Sequence, residues 1–546
     1  MTSSLLLLAA VMGLFAGAYR LVLYPLYRSP LGRVPVAHWS APFSQLWILL
    51  VRKNGRENRT LFKAHQKYGP VVRIGPNALS VDGHDAIRTV YVGGFEKDRW
   101  YDVFDNYGVP CMFSARGSRE HSARKRMLAN VYSKSYIHSS AAAKAQAQSI
   151  IYDRLLPLLD ESASPALEPN GLDVHSLFLA TATDFISAYV FGLKRGTNFI
   201  QDHGYRDHWL ELYNSRNEHH FWPQELPRLT SWLKDLGISL YPRWVDSANE
   251  ELSAWNTGLC EKTKDEGGRN IGSSDEAVVW NSLAAGIDKE AKVNGESSHL
   301  FTSMLRERDL STASELFDHI LAGQETTGTT LTYLTWHLSK NNRLQRELRE
   351  ELLTLDPNMR WLRGQIGGMP DPKQLDSLPL LNSIVMETLR LHAPIPGSQA
   401  RRTPPQGCTI NGFEIPGGIR ISGQAYTLHR DEAIFPDPYT WDHTRWLASS
   451  STDEELRTRH RQFWAFSSGG RMCIGSNFAM HEIRLIVCAI YTNFRTTIVD
   501  DKNMEQTDGY TARPAGERLI LRFDHWNSQP LFDINQRANI RDPSIP

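Results

Sequence analysis

Phe466-Ser467-Ser468-Gly469-Gly470-Arg471-Met472-Cys473-Ile474-Gly475 is a glycine-rich loop with a single cysteine, and it runs straight into a stretch of helical periodicity from Asn477 to Val487. A thiolate at this point would receive backbone N–H groups from the loop and sit at the positive end of a helix dipole, both of which favour ionised sulfur. Such a sulfur can ligate haem iron axially and donate the electron density that favours O–O cleavage. The glycines let the backbone pass close under a flat macrocycle, and Arg471 offers a charge to a propionate. A bare buried cysteine is usually an inert small hydrophobe. That is the reading for Cys111, Cys260, Cys408 and Cys488, which have no such surroundings.

The spacing F-x-x-G-x-R-x-C-x-G, carried by Phe466, Gly469, Arg471, Cys473 and Gly475, resembles the haem-binding loop of the cytochrome P-450 family with every fixed position present. The resemblance runs from about residue 60 to 523. It implies haem b as cofactor, Cys473 as axial ligand of the iron, and a mainly α fold with a small β lobe and the haem between two long helices.

Outward from the loop, Ala322-Gly323-Gln324-Glu325-Thr326-Thr327 lies in a long helical stretch beginning near Ser314. Gly323 and Gly328 each cost such a helix about 1 kcal/mol relative to Ala, so something should compensate. The expectation is a helix locally widened where it crosses the haem, with Gly323 opening a groove for O2. Tight helix packing is the plainer explanation for small residues at this spacing. The motif resembles the family's A-G-x-[DE]-T-[TS], which implies that Thr326 holds a water or the activated oxygen and that Glu325 relays protons. Glu387-Thr-Leu-Arg390 sits on a helix with an apolar face, and its opposite charges at i, i+3 can pair. By position it resembles the family's E-x-x-R helix. The third member of that buried ionic triad would be Arg445, in a segment where His443 and Thr444 replace the usual Pro and Glu. His121 and Lys125 replace the Trp and Arg of the family's W-x-x-x-R helix, and Arg401 or its neighbour Arg402 matches a further arginine; all would face the propionates. The run Arg124 to Arg126 also reads as a basic face that could dock an acidic reductase.

Composition narrows the class. With 60 basic and 60 acidic residues in 546, nothing argues for nucleic-acid binding. Five irregularly spaced cysteines argue against a secreted disulfide framework. Leu5 to Ala18 and Leu21 to Tyr27 are apolar, together exceeding the roughly 20 residues that span a bilayer; a cleaved signal peptide is the competing reading, against which the missing basic n-region and the aromatic-rich Leu23–Tyr27 argue. Arg20, Arg28 and Arg33 follow the start of this stretch and no Lys or Arg precedes it, so the bulk of the chain is expected on the cytosolic side. There Asn58-Arg59-Thr60, which fits a glycosylation acceptor, would stay unmodified. The chain divides into an anchor (1–27), a Pro-containing hinge (28–45), a haem-thiolate monooxygenase domain (46–523) and a polar tail (524–546).

Hairpins are expected at Val71–Ile74 with Leu79–Val81 and at Cys408–Ile410 with Phe413–Ile415, the second around Asn411-Gly412. Arg518–Phe523 alternates like a late strand. Long helices are expected at 141–159, 174–191, 314–340, 343–355, 379–392 and 477–491. The aromatic-rich region 197–271 resembles the family's lid over the substrate channel, and reads equally as surface helices packed on the core. The resemblance implies a single-pass endoplasmic-reticulum monooxygenase, most like filamentous-fungal members of secondary-metabolite pathways. Electrons would come from NADPH through a separate flavoprotein reductase, or from a cytochrome b-type donor, and an apolar organic substrate would be hydroxylated or epoxidised. Other readings are a member that rearranges or dehydrates its substrate without O2, against which the pair Glu325-Thr326 argues, and a haem protein that senses gas or carries electrons.

Overall fold

The structure, a computed structural model, describes residues 29–164, 170–266, 272–363, 365 and 367–526, with isolated positions (7–8, 11–13, 15–17, 19 and 23) nearer the N-terminus. The anchor expected over 1–27 therefore lies largely outside the described residues, as does the tail beyond Trp526. The proline-rich stretch after the anchor is laid along the first strand: Arg73 N–H donates to Pro35 O at 2.7 Å and Ala37 N–H to Arg73 O at 3.0 Å. Leu31 and Val34 bury their side chains in the same region.

Among the described residues ten short strands follow in chain order: β1 (Val71–Gly75), β2 (Ala78–Val81), β3 (Glu96–Lys97), β4 (Leu172–Asp173), β5 (Ser398–Arg402), β6 (Cys408–Ile410), β7 (Phe413–Ile415), β8 (Arg420–Gln424), β9 (Phe494–Asp500) and β10 (Ile520–His525). Both expected hairpins form, β1 with β2 and β6 with β7. The first is extended into a five-stranded sheet of order β1-β2-β8-β5-β3. Only tertiary pairing makes this sheet: β8 joins β2 in parallel, and β3 is two residues long. The remaining strands order as β4-β10-β9.

Nine of the helices concern the site: α1 (Leu46–Lys53), α2 (Glu57–Tyr68), α3 (Ser118–Leu128), α4 (Val174–Phe191), α5 (His203–Glu218), α6 (Pro227–Asp235), α7 (Arg308–Ser339), α8 (Pro379–Leu391) and α9 (Ser476–Asn493). The segment expected as one helix over 141–159 changes to a wider π register at Ile150–Leu155 before continuing to Ser162. Pro157 then falls at the start of the final segment, where its missing N–H costs little. Helix α4 is apolar all round and is, among the described residues, the one helix long and apolar enough to cross a membrane. It is 94% buried, the signature of a core helix.

Helix α7 is the spine of the molecule, 32 residues and roughly 48 Å long. It packs along α4, and its glycines are explained by that contact. A Cβ on Gly323 would lie 2.8 Å from Ile186 Cγ1, and one on Gly328 would lie 2.7 Å from Leu179 Cδ2 and 2.9 Å from Leu179 Cα. The expected widening at Gly323 is absent, since the helix is regular α from end to end. The groove expected at Gly323 is likewise corrected: the space beside it is filled by Ile186, and the glycines serve close helix packing.

Candidate active site around Cys473

The cysteine loop is a closed turn ahead of α9. Cys473 N–H donates to Phe466 O at 3.0 Å and Met472 N–H to Gly469 O at 3.1 Å. Phe466 is partly buried against the main core, fixing one end of the loop. Cys473 lies deep in the molecule with its side chain open to the space beside the loop, whereas Cys111, Cys260 and Cys488 are packed in on all sides. Gly475, the residue before α9, leaves open space near the sulfur, a Cβ there meeting only Sγ at 3.9 Å. Gly469 has φ +72°, and a Cβ on it would strike Tyr91 O at 2.2 Å. Its glycine is therefore also required by the neighbouring turn at Arg88–Val92. Burial holds the Cys473 thiol above its ordinary range, against backbone N–H groups of Gly475 and Ser476 and the Lys125 ammonium, which pull it down. The loop N–H groups thus favour the ionised sulfur, as the sequence suggests, but burial outweighs them. A bound cation would complete the ionisation.

Five basic groups converge beside this loop. Lys97 and Arg401 face each other across β3 and β5. Arg401 Nη1 donates to Tyr101 Oη at 3.1 Å and to Ala400 O at 2.9 Å. Lys97 Nζ donates to Phe113 O and lies over the Tyr101 ring, 4.0 Å from its centroid. Arg471 Nη1 donates to Ala115 O at 2.7 Å, and His121 comes from α3. Lys125 ties the loop down directly, its Nζ donating to Gly470 O at 3.0 Å and Met472 O at 2.9 Å. Among the described residues none of the five has a carboxylate within ion-pair distance. Burial, then the charges of Arg471, Lys97, Lys125 and Arg401, press the His121 pKa down to about 3. Burial followed by Arg401 and Arg471 drives Lys97 well below its usual value. Burial and then Arg401 bring Arg471 to about 10. So dense a set of basic groups without carboxylate partners, in a poorly solvated place, calls for an anionic ligand. The residues present fit a flat dianionic macrocycle whose metal takes Cys473.

Opposite the loop, Ala322 is exposed and Thr326, one turn on, is half-buried. Thr326 Oγ1 donates to Ala322 O at 2.8 Å. Asp318, one turn before Ala322, acts electrostatically on the Cys473 thiol, so this face of α7 looks toward the sulfur. Glu325 instead turns to α5, where Tyr213 Oη donates to its Oε2 at 2.6 Å.

Behind the loop the expected triad is assembled and buried. Arg390 grips Glu387 with two bonds, Nε to Oε2 at 2.8 Å and Nη2 to Oε1 at 2.7 Å. Arg445 Nε lies 3.4 Å from Glu387 Oε1. Asp442 N–H and Trp446 Nε1 each donate to Glu387 at 2.9 Å. The unusual His443-Thr444 pair leaves this geometry intact, because the backbone and Trp446 supply the remaining donors. His429 joins the triad to the loop: its Nδ1–H donates to Arg390 O at 2.9 Å and its Nε2 accepts from Trp464 N–H at 2.8 Å.

The structure settles the arginine register: Arg401 points inward and is buried, while Arg402 pairs with Asp98 at 2.8 Å. It also removes Arg124 from any basic docking face, since its buried guanidinium pairs with Glu315 at 3.3 Å and Glu120 at 3.2 Å. Lys97, Tyr213, His429 and the buried Glu482 of α9 were missed in the sequence. No motif or spacing marks them, because each acquires its role from a partner remote along the chain.

A family model described as Cytochrome P450 matches residues 39–519. Similar curated proteins include cytochrome P450 monooxygenase orf2 of Aspergillus niger, 24% identical over 92% of this chain and 94% of that one. Cytochrome P450 monooxygenase FGM1 of Gibberella zeae is 27% identical over 95% of this chain and 96% of its own. Tryprostatin B 6-hydroxylase of Aspergillus fumigatus is 25% identical over 90% of this chain and 79% of its own.

Proposed function

The chain belongs to the cytochrome P450 family of haem-dependent monooxygenases, and from that premise we propose that Cys473 is the thiolate on its haem iron and that Lys97, His121, Arg401 and Arg471 receive the propionates. Thiolate-ligated haem supplies reductive activation of O2 when bound. The chain's own residues seat the group, keep its negative charges compensated and manage protons. Lys125 holds the cysteine loop by two carbonyls, and the triad with His429 fixes that loop from behind. Thr326 presents a hydroxyl on the open face of α7, and Glu325 is the carboxylate that hands protons toward it. The reaction is insertion of one oxygen atom into an apolar organic substrate, with electrons from NADPH through a separate reductase. A similar protein is named a tryprostatin B 6-hydroxylase, and fungal secondary-metabolite oxidation is the role we assign.

We also place the protein on the cytosolic face of the endoplasmic-reticulum membrane. Besides the apolar first 27 residues, an exposed apolar surface supports this. Trp39 (76% exposed), Leu46 and Leu50 lie on or just before α1, while Leu229 and Trp232 lie on α6, followed by Leu236 and Ile238. The α1 region and the segment before α6 are tied together by the Arg52–Glu225 pair at 2.9 Å, which brings the two sets of exposed apolar side chains to neighbouring elements. A patch of this kind suits a lipid surface.

The observation that carries the functional reading is a cysteine sulfur open to the space beside its loop, next to a basic cluster with which no carboxylate among the described residues pairs. The reduced carbon monoxide complex of the wild-type protein should show the red-shifted Soret band of thiolate ligation, and Cys473→Ala should abolish it. A wild type without that band, or a Cys473→Ala protein that keeps it, refutes the assignment.

A further inference from the structure

We propose that the cleft of about 480 Å3 between α4, α5 and Glu517 is the proton inlet of the active site, and that Glu517 is the positioning carboxylate that recharges Glu325. This rests on the reading of Glu325 given above. The cleft walls carry Asp207, Glu211, Glu218 and Glu517, a concentration of negative potential that raises the local proton activity. Its inner wall is α4, through His175, Ser176 and Leu179, and Leu179 on its far side fills the space over Gly328 of α7, one turn from Glu325.

Two consecutive residues of α5 bridge the carboxylates. Tyr213 holds Glu325 at 2.6 Å, and Asn214 Nδ2 donates to Glu517 Oε2 at 3.1 Å. Asn214 Oδ1 in turn accepts from Arg513 at 2.7 Å, and Arg513 pairs with Glu517 Oε1 at 2.9 Å. Exposure falls inward, the Glu517 side chain retaining 35% of its surface and Glu325 only 9%. Glu517 is also held at φ +47°, a conformation that favours glycine. A charged residue kept in such a place signals that its side chain is needed. Burial, and then the repulsion of Glu218 and Glu325, raise its carboxyl above the usual range although Arg513 opposes them, which suits a group that must take up and release a proton.

In the step proposed, a hydronium ion drawn into the cleft gives its proton to the Glu517 carboxylate and leaves as water. The proton passes to the Glu325 carboxylate through an intervening water with polar partners on both sides, and Glu517 returns to its anion. No other group changes state.

The test uses the full-length haem-loaded protein with its reductase and compares Glu517→Gln with Glu325→Gln. Glu517→Gln keeps the shape of the side chain and should lower coupled product formation about tenfold, the low side of what a proton-transfer group contributes, with a larger solvent isotope effect. A second readout needs no turnover: deuterium exchange into the Tyr213 hydroxyl that bonds Glu325, identified by infrared as the band missing in Tyr213→Phe, should slow in the substrate-free ferric protein. Asn214→Leu removes the tether without touching a charge and should slow the same exchange less. Small carboxylic acids added to Glu517→Ala should restore turnover. Exchange and isotope effects equal to wild type in both Glu517→Gln and Asn214→Leu would overturn the inlet alone. Wild-type turnover and isotope effect in Glu325→Gln would instead overturn the underlying role of Glu325, and the inlet with it.

Discussion

Glu482 shows how one residue in this molecule is governed by its surroundings. It lies on α9, almost fully buried, and its Oε1 has no hydrogen-bond partner among the described residues. Burial raises its carboxyl well above the usual 4.5, with only a Thr327 hydrogen bond pulling the other way. Since the folded pKa exceeds the unfolded one, the protonated acid is favoured in the fold and stability is lost as pH rises above 4.5. Glu482→Gln should therefore raise Tm relative to wild type at pH 8 and give little or no advantage near pH 4.5. An advantage that does not grow with pH across that interval would show the carboxyl to be solvated or paired. Cys473 illustrates the same rule: burial outweighs the dipole and loop donors that its sequence neighbours promised.

At the scale of elements, two contacts decide how the site is held. The α4–α7 crossing relies on residues without a Cβ. Gly328→Ala would press against Leu179 Cα and N at 2.9 and 3.0 Å, backbone atoms that cannot rotate away. It should cost about 1–3 kcal/mol by overpacking, read as a lower denaturation midpoint. Gly323→Ala meets only the Ile186 side chain and should be rescued by Ile186→Ala. Equal penalties at the two positions, with no rescue, would contradict this packing account. The second contact is between α8 and the segment of Asp442 to Trp446. Glu387→Ala leaves Arg390 and Arg445 buried without their counter-charge and should cost about 3–5 kcal/mol. Haem retention should fall with stability, because Arg390 is linked to the cysteine loop through His429. A Glu387→Ala protein with full haem content and merely slower turnover would contradict a structural role.

For the whole molecule the proposal to test is attachment to a membrane. Removing residues 1–27 should free part of the protein from microsomes, but the exposed apolar residues of α1 and α6 should leave a peripheral fraction that anionic-lipid vesicles recover. Adding Trp232→Ser and Leu236→Ser to the truncation should abolish that fraction. Retention unchanged by both alterations would place the attachment elsewhere. Protease applied to intact microsomes should digest the haem domain, since Arg20, Arg28 and Arg33 follow the apolar stretch, and protection would reverse the orientation.

The local sequence was enough for the cysteine loop, the two tight hairpins and the long helices, including the full extent of Val174–Phe191. Each of these is written in consecutive residues: turn glycines, a period of apolar positions, a fixed spacing around Cys473. The triad was also legible, because Glu387 and Arg390 are neighbours on one helix face and Arg445 follows in a recognisable order. What only the tertiary structure decided depends on groups far apart in the chain. Lys97 meets Arg401 through a two-residue strand with no pattern of its own, and His429 binds the carbonyl of Arg390 and the amide of Trp464. The glycines of α7 are the clearest case. Sequence could register that Gly323 and Gly328 weaken a helix, but not what compensates, because compensation lies in Ile186 and Leu179 of another helix, and close packing is a property of two surfaces.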